Sequence, residues 1–219
     1  MKEGIIMSET SSTSLPRNIV AQLRTSVPLR PLTVGDAYTL AERQATKALH
    51  LTGITSPHVS LRWILDLPRT EVRVEPRHAM TGLSGSTTFS NGRYLIVVNK
   101  NDAHARRRFT LAHEWKHLLD YTMSDVLYRR LGQGNAQQRE RRIERIADHF
   151  AACLLMPRTW VKNAWTSGIQ DLPSLAGLFM VSEDAMRVRL TYLGLLDNDE
   201  RPIRTYFRRI ASLDLFAAA

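Results

Sequence analysis

Residues 108–120 read RFTLAHEWKHLLD, and this stretch decides the fold because it defines the central helix. Its two histidines, His113 and His117, are four residues apart, so a helix places both imidazoles on one face, one turn apart. Apolar side chains around them are suited to bury the rest of that helix, and they are Phe109, Leu111, Leu118 and Leu119. We therefore predict one helix from about Ala103 to Tyr121.

The spacing His113-Glu114-x-x-His117 is typical of a metal site. Two imidazoles one helical turn apart can hold one tetrahedral ion. Glu114 follows the first of them, so its carboxylate can reach the open side of the ion without binding it, as a general base must. The alternative is a pair of solvent-facing histidines on an amphipathic helix.

A zinc site that keeps one position for water needs a third protein ligand, usually a Glu from a later helix. We predict that helix from about Gln137 to Leu155, ended by Pro157. It offers Glu144, and Asp148 follows one turn later on the same face, placed to hydrogen-bond a ligand histidine. As alternatives, Glu144 lies on a solvated face among arginines, and Asp148 forms an ordinary helix salt bridge.

Two other side chains of this second helix that can bind metals point away from Glu144. Cys153 comes nine residues later, about half a turn out of phase, so we interpret it as a packed thiol. His149 also points away from the predicted site. Cys153 is the single cysteine of the chain, which excludes an internal disulfide and fits a reducing compartment.

Residues ahead of the histidine helix predict a small sheet. Residues 72–75 alternate apolar and charged side chains, residues 83–89 form a second strand-like stretch, and residues 94–98 form a third. Asn91-Gly92 separates the last two, and this dipeptide is a strong hairpin signal because both residues tolerate positive φ. We predict about three strands, mainly antiparallel, within a mainly helical α+β fold.

The flanking segments set the predicted domain boundaries. Thr33 and Asp36 are spaced like a capping box at the start of a helix. We assign residues 1–30 to a flexible tail, residues 31–168 to the main domain and residues 169–219 to a C-terminal helical subdomain.

Composition and charge restrict the class of protein. Hydrophobic residues make up 43% of the 219 residues and charged residues 23%, which excludes general disorder. Because no run of about 18 apolar residues occurs, we expect no membrane span. The polar start lacks the pattern of a secretory signal, so we expect a cytoplasmic protein. The net charge of +9 favours nucleic acid or an acidic partner, or reflects only a high isoelectric point.

The C-terminal subdomain has a helix-turn-helix pattern. Two short helices joined at Met180-Val181, the second carrying Arg187 and Arg189, fit that motif and suggest DNA contact. Glu183-Asp184 opens the second helix, however, and would repel DNA phosphates. The alternative is a helical subdomain that packs on the main domain or grips a protein.

Taken together, these motifs resemble the ImmA/IrrE family of zinc metallopeptidases. The resemblance rests on residues 108–117, on the run from Glu144 to Pro157, on residues 83–99 and on residues 181–195. It covers roughly residues 33–196 and implies a zincin-like fold.

The resemblance implies that His113, His117 and Glu144 are metal ligands and that Glu114 is the catalytic base. It implies Zn²⁺ as the cofactor, and the same ligands can also hold Mn²⁺ or Fe²⁺. Many family members carry Leu-Gly where this chain has Trp115-Lys116, so larger side chains pack beside the predicted site.

For function, the resemblance implies a site-specific endopeptidase that cleaves helix-turn-helix transcriptional repressors in stress-response, mobile-element or toxin–antitoxin-like modules. The alternative is a metal-dependent regulatory or DNA-binding protein without proteolytic turnover. An oxyanion-stabilising donor is also needed, and the candidates are Tyr94, Tyr121 and Tyr128, each of which can instead be a buried core residue.

Overall fold

The computed structural model of the chain describes residues 18–76 and 84–196. These residues form nine helices and a three-stranded sheet, which confirms the predicted mainly helical α+β fold. The strands are β1 (Thr70–Glu75), β2 (Gly85–Ser90) and β3 (Arg93–Asn99). The helices are α1 (Ile19–Arg24), α2 (Val34–Thr52), α3 (Arg62–Leu65), α4 (His104–Asp120), α5 (Ser124–Leu127), α6 (Ala136–Leu155), α7 (Arg158–Thr166), α8 (Leu172–Phe179) and α9 (Glu183–Tyr192). Leu83, which we placed in the second strand, lies outside the described residues.

Helix α2 begins and ends as its sequence predicts. The side chain of Thr33 accepts a hydrogen bond from the backbone N–H of Asp36, and the Asp36 carboxylate accepts one from the backbone N–H of Thr33. This reciprocal capping box satisfies two N–H groups that have no partner inside the helix. The helix ends at Gly53, whose φ of 65° suits glycine.

Helix α1 lies where we predicted a flexible tail, so the assignment of residues 1–30 is wrong for Ile19–Arg24. Ile19 and Leu23, one turn apart, are buried against the core. The helix is only six residues long and is too short for its spacing to stand out in the sequence, so tertiary packing stabilises it. Residues 1–17 of the predicted tail lie outside the described residues.

The sheet has the strand order β1-β3-β2 and mixed directions. β2 and β3 pair antiparallel through Asn91 and Gly92, whose φ values of 51° and 75° confirm the predicted hairpin. β1, however, pairs with β3 in parallel, with Thr70 opposite Tyr94, which corrects the expectation of mainly antiparallel pairing. The turn dipeptide specifies only the β2–β3 pair, because no local signal in the sequence states on which side of β3 the earlier strand lies.

Helix α4 occupies the centre of the molecule. It packs against β2 and β3 on one side and α6 on another, and α6 in turn packs on α2. We predicted these two helices at 103–121 and 137–155, within one residue of their observed ends. Both are buried along much of their length because each lies between neighbours on more than one side.

The C-terminal helices α8 and α9 join at Met180, which has a φ of 51°, as the helix-turn-helix pattern predicts. Leu175 and Phe179 of α8 are fully buried in the same core as the main domain. Arg189, which we placed on a DNA-reading helix, is instead buried, with 2% of its surface exposed. The predicted boundary near residue 168 stays a prediction. No described helix has the length and apolarity needed to cross a membrane.

Candidate metal centre

Helix α4 places the imidazole rings of two histidines next to each other. His113 and His117 are one turn apart, and their Nε2 atoms lie 3.0 Å from each other. The ring of His113 is buried, whereas a quarter of the His117 side chain is exposed. Solvent therefore reaches the pair mainly at His117.

Helix α6 brings a carboxylate to the same point. Glu144 Oε2 lies 3.2 Å from His113 Nε2, and Glu144 Oε1 lies 3.4 Å from His117 Nε2. We call these three side chains the His/Glu centre. The structure thus brings together the three residues that the sequence selected as ligands.

Asp148 fixes the orientation of the first histidine. Its Oδ1 lies 2.8 Å from His113 Nδ1, and both side chains are largely buried. If Nδ1 carries the proton and donates it to this carboxylate, the Nε2 lone pair points at the His/Glu centre. Asp148 stands one turn after Glu144 on α6, as predicted from its spacing.

The electrostatics of the His/Glu centre suit a cation. Burial alone would lower the pKa of His113, but hydrogen bonds to Asp148 and Glu144 outweigh it and raise the pKa to about 10. Burial would raise the pKa of Glu144, whereas its hydrogen bonds to the two histidines hold that pKa well below its usual range. Three electron-rich atoms this close together need a shared positive charge. A proton or a divalent metal ion satisfies that need, and two imidazoles with one carboxylate are a donor set that fits zinc.

Glu114 lies beside the centre without joining it. It is buried, with 7% of its surface exposed, and its Oε2 accepts a hydrogen bond of 2.8 Å from the Thr87 hydroxyl on β2. The Glu114 backbone carbonyl lies 2.9 Å from the same hydroxyl. One strand residue therefore fixes both the side chain and the backbone of the predicted base.

Gly85 makes this contact between β2 and α4 possible. A Cβ atom at position 85 would lie 2.9 Å from Glu114 Oε1 and closer still to the Thr110 methyl group. Any larger residue would push the strand away from the helix. Sequence reasoning did not select Thr87 or Gly85 for the site, although a glycine within a strand is a signal of close backbone approach.

Trp115 and Lys116, which lie between the two histidines in the sequence, are both buried against other parts of the molecule. Trp115 is fully buried and meets the Trp63 ring edge-on, with centroids 4.5 Å apart. Lys116 is also buried, and its Nζ donates hydrogen bonds of 2.7 Å to Gln44 on α2 and to Asp120. Both residues therefore tie α4 to neighbouring helices.

The tyrosines considered as oxyanion donors differ in position. Tyr128 is buried and donates its hydroxyl hydrogen bond to Asp120, so it is committed to the core. The Tyr94 hydroxyl lies 3.4 Å from Arg24 Nη2. Tyr121 is 48% exposed, unlike a core residue, and its ring contacts Phe89 with centroids 5.2 Å apart.

His149 and Cys153 of α6, whose side chains can also bind metals, do not join the His/Glu centre. Cys153 is buried, as predicted for a packed thiol, and its Sγ lies 3.4 Å from His149 Nε2. Together with Glu42 of α2, they form a separate group.

Comparison with known proteins agrees with this geometry. A search of curated proteins gave no match. Residues 69–191, more than half of the chain, match the family model Peptidase_M78, described as the IrrE N-terminal-like domain. The match includes the whole sheet and every residue of the His/Glu centre, as well as Glu114 and Asp148. The chain therefore belongs to the Peptidase_M78 (IrrE N-terminal-like) family of peptidases.

Proposed function

We propose that this protein is a zinc-dependent endopeptidase that acts in the cytoplasm. The metal ligands are His113, His117 and Glu144, the catalytic base is Glu114, and Asp148 positions the first ligand. The observation that carries the proposal is that side chains from two helices bring three ligand atoms together. The buried carboxylate of Glu114 lies beside this group and is not part of it. Three protein ligands with one open position are the pattern of catalytic rather than structural zinc.

The chain's own residues perform the proton transfers of the proposed hydrolysis. Zinc, when bound, polarises the substrate carbonyl and makes a bound water more acidic. Glu114 accepts the proton of the attacking water and later passes it to the leaving amine. The Thr87 hydroxyl, 2.8 Å away, holds the carboxylate at a fixed orientation for both transfers. Asp148 keeps the His113 ring in place through the 2.8 Å contact at Nδ1.

The edge strand β2 supports an extended peptide as the substrate. β2 pairs with β3 on one side only within the described sheet, so its other edge carries main-chain groups that can pair with a peptide. On this strand, Thr87 donates a hydrogen bond to the Glu114 carboxylate. Gly85 lies so close to Glu114 that a side chain at position 85 would collide with it. A peptide added along β2 would therefore run past the catalytic base.

The family likeness supports a helix-turn-helix repressor as the substrate. The net charge of +9 suits an acidic segment of such a protein. The alternative of a DNA-binding regulator without turnover is less well supported, because Arg189 is buried and exposed Glu183 and Asp184 open α9.

The proposal is tested by incubating the purified chain and zinc with a small helix-turn-helix protein encoded beside it. We expect two fragments by mass spectrometry and loss of cleavage when the zinc is chelated. Glu114→Gln should keep its zinc and lose cleavage by about 10²–10⁴-fold, while Glu140→Gln, an exposed change on α6, keeps both. Cleavage by Glu114→Gln at the wild-type rate would show that the assigned base is wrong.

A further inference from the structure

A second group of metal-ligating side chains lies between α2 and α6. Glu42 comes from α2, and His149 and Cys153 stand one turn apart on α6. One ligand atom from each lies within 4.8 Å of the others. His149 and Cys153 are buried, and the distance of 3.4 Å between Cys153 Sγ and His149 Nε2 is close to that between two ligands of one zinc ion. We call these three residues the Cys/His/Glu cluster; it shares no residue with the His/Glu centre.

Arg189 of α9 gives independent information about this cluster. It is 98% buried, its Nε donates to the Met156 carbonyl at 2.9 Å, and its Nη1 lies 3.5 Å from Cys153 Sγ. Its Nη2 has no hydrogen-bond partner among residues 18–76 and 84–196. A guanidinium stays charged in proteins, and a buried charge needs a counter-ion. The nearby Glu42 carboxylate is already paired with Arg158 at 3.1 Å.

A thiolate at Cys153 would provide that counter-ion. Burial raises the pKa of the Cys153 thiol, although the charge of Arg189 opposes the shift. A divalent cation at the cluster would displace the thiol proton and leave a thiolate beside the guanidinium. The His149 imidazole can bind the same ion through a nitrogen lone pair, because burial and the charge of Arg189 lower its pKa to about 4 and keep the ring neutral.

The donor set selects the kind of ion. One sulfur, one nitrogen and one carboxylate oxygen suit zinc or a similar borderline-soft ion, whereas Mg²⁺ and Ca²⁺ prefer oxygen alone. Glu42 has a second carboxylate oxygen for the ion while the first pairs with Arg158. The two arginines repel a cation, so this site should bind more weakly than the His/Glu centre.

We propose that Glu42, His149 and Cys153 form a second cation site, for zinc or a similar ion, in which Cys153 binds as the thiolate. This site does not depend on peptidase activity. It links α2 to α6, the helix that also supplies Glu144 and Asp148.

Cobalt(II) is the probe for the test, because thiolate ligands give it a charge-transfer absorption in the near ultraviolet. The chain has a single cysteine, so this absorption reports on Cys153 alone. We expect the metal-free full-length chain to bind two equivalents of cobalt, with the absorption growing during the second. Cys153→Ser should lose the absorption and the second equivalent and keep the first. Glu144→Gln should instead weaken the first equivalent and keep the absorption.

Two further variants cover the case in which Cys153→Ser does not fold. Glu42→Gln and His149→Gln keep the cysteine and should each weaken the absorption-linked affinity by at least about tenfold. Their folding is checked by circular dichroism. The proposal is overturned if the wild-type chain shows no charge-transfer absorption with two equivalents bound. It is equally overturned if the absorption has the same affinity in folded Glu42→Gln and His149→Gln, because the thiol would then bind cobalt without the cluster.

Discussion

Two groups of side chains in this molecule have the same arrangement along their helices and differ in the charges around them. In each, two residues that we propose as metal ligands stand four apart on one helix, and a glutamate comes from another helix. The members are His113, His117 and Glu144 in the His/Glu centre, and His149, Cys153 and Glu42 in the Cys/His/Glu cluster.

The surroundings shift the pKa values of the two buried histidines, His113 and His149, in opposite directions. Hydrogen bonds to carboxylates overcome the effect of burial at His113 and raise its pKa to about 10. At His149, burial and the charge of Arg189 lower the pKa to about 4. Helical spacing therefore sets which atoms meet, while neighbouring charges set how strongly a positive charge is held between them.

Removing the proposed third ligand should have the largest effect. Glu144→Gln deletes the carboxylate that contacts both histidines of the His/Glu centre, and we expect zinc affinity to fall by more than about 100-fold, since even outer partners of a ligand contribute up to that much. Competition with a chelating dye measures the affinity. Glu140→Gln, one turn earlier and exposed, is the matched control. An unchanged affinity in Glu144→Gln would remove this residue from the ligand set.

Removing the partner of a ligand should have a smaller effect. Asp148→Asn keeps the size of the side chain but leaves His113 Nδ1 beside an amide. We expect zinc affinity to fall by about 10–100-fold, with cleavage restored at high zinc. Titration of activity against free zinc checks this. If added zinc restores nothing, Asp148 does more than position the histidine.

The contact between β2 and α4 can be tested by adding one methyl group. Gly85→Ala would place a Cβ against Thr110 and Glu114, and we expect a loss of about 1–3 kcal/mol in unfolding free energy. Urea denaturation gives that value, and activity should fall further because Glu114 is displaced. Gly177→Ala in α8 has open space and is the control, with a change within about 1 kcal/mol. Equal effects of the two changes would mean that β2 does not hold Glu114.

The smallest effect concerns His149 in the metal-free chain. Its folded pKa of about 4 lies below its ordinary value of 6.5, so between these pH values the unfolded state binds a proton that the folded state does not. Stability should therefore fall as the pH falls, by up to about 1 kcal/mol per pH unit from this residue. Urea denaturation at pH 7 and pH 5 should show a shallower dependence in His149→Gln than in wild type. The exposed change His58→Gln should leave the dependence unaltered; equal slopes in His149→Gln and wild type would contradict the prediction.

Local signals allowed much of the fold to be predicted. The capping box at Thr33, the Asn91-Gly92 turn and the limits of α4 and α6 all lie in short stretches whose chemistry is self-contained. The parallel pairing of β1 was not predictable in this way, because it depends on where a distant strand lies.

The same distinction applies to the candidate site. His113 and His117 are recognisable because a single helix sets their distance, and Glu144 follows from the ligand number that zinc requires. The roles of Thr87 and Gly85 depend on how a strand lies against α4, and the Cys/His/Glu cluster needs Glu42 from more than a hundred residues away. No periodicity in the sequence connects such positions.

The buried side chain of Lys116 matters for any transfer of this motif to another protein. Its ammonium group has two acceptors, Gln44 of α2 and Asp120 of α4, and burial lowers its pKa although Asp120 opposes the shift. An engineered scaffold that copied residues 113–117 without those acceptors would enclose an uncompensated ammonium. The five-residue motif is therefore portable only together with the two polar partners of Lys116.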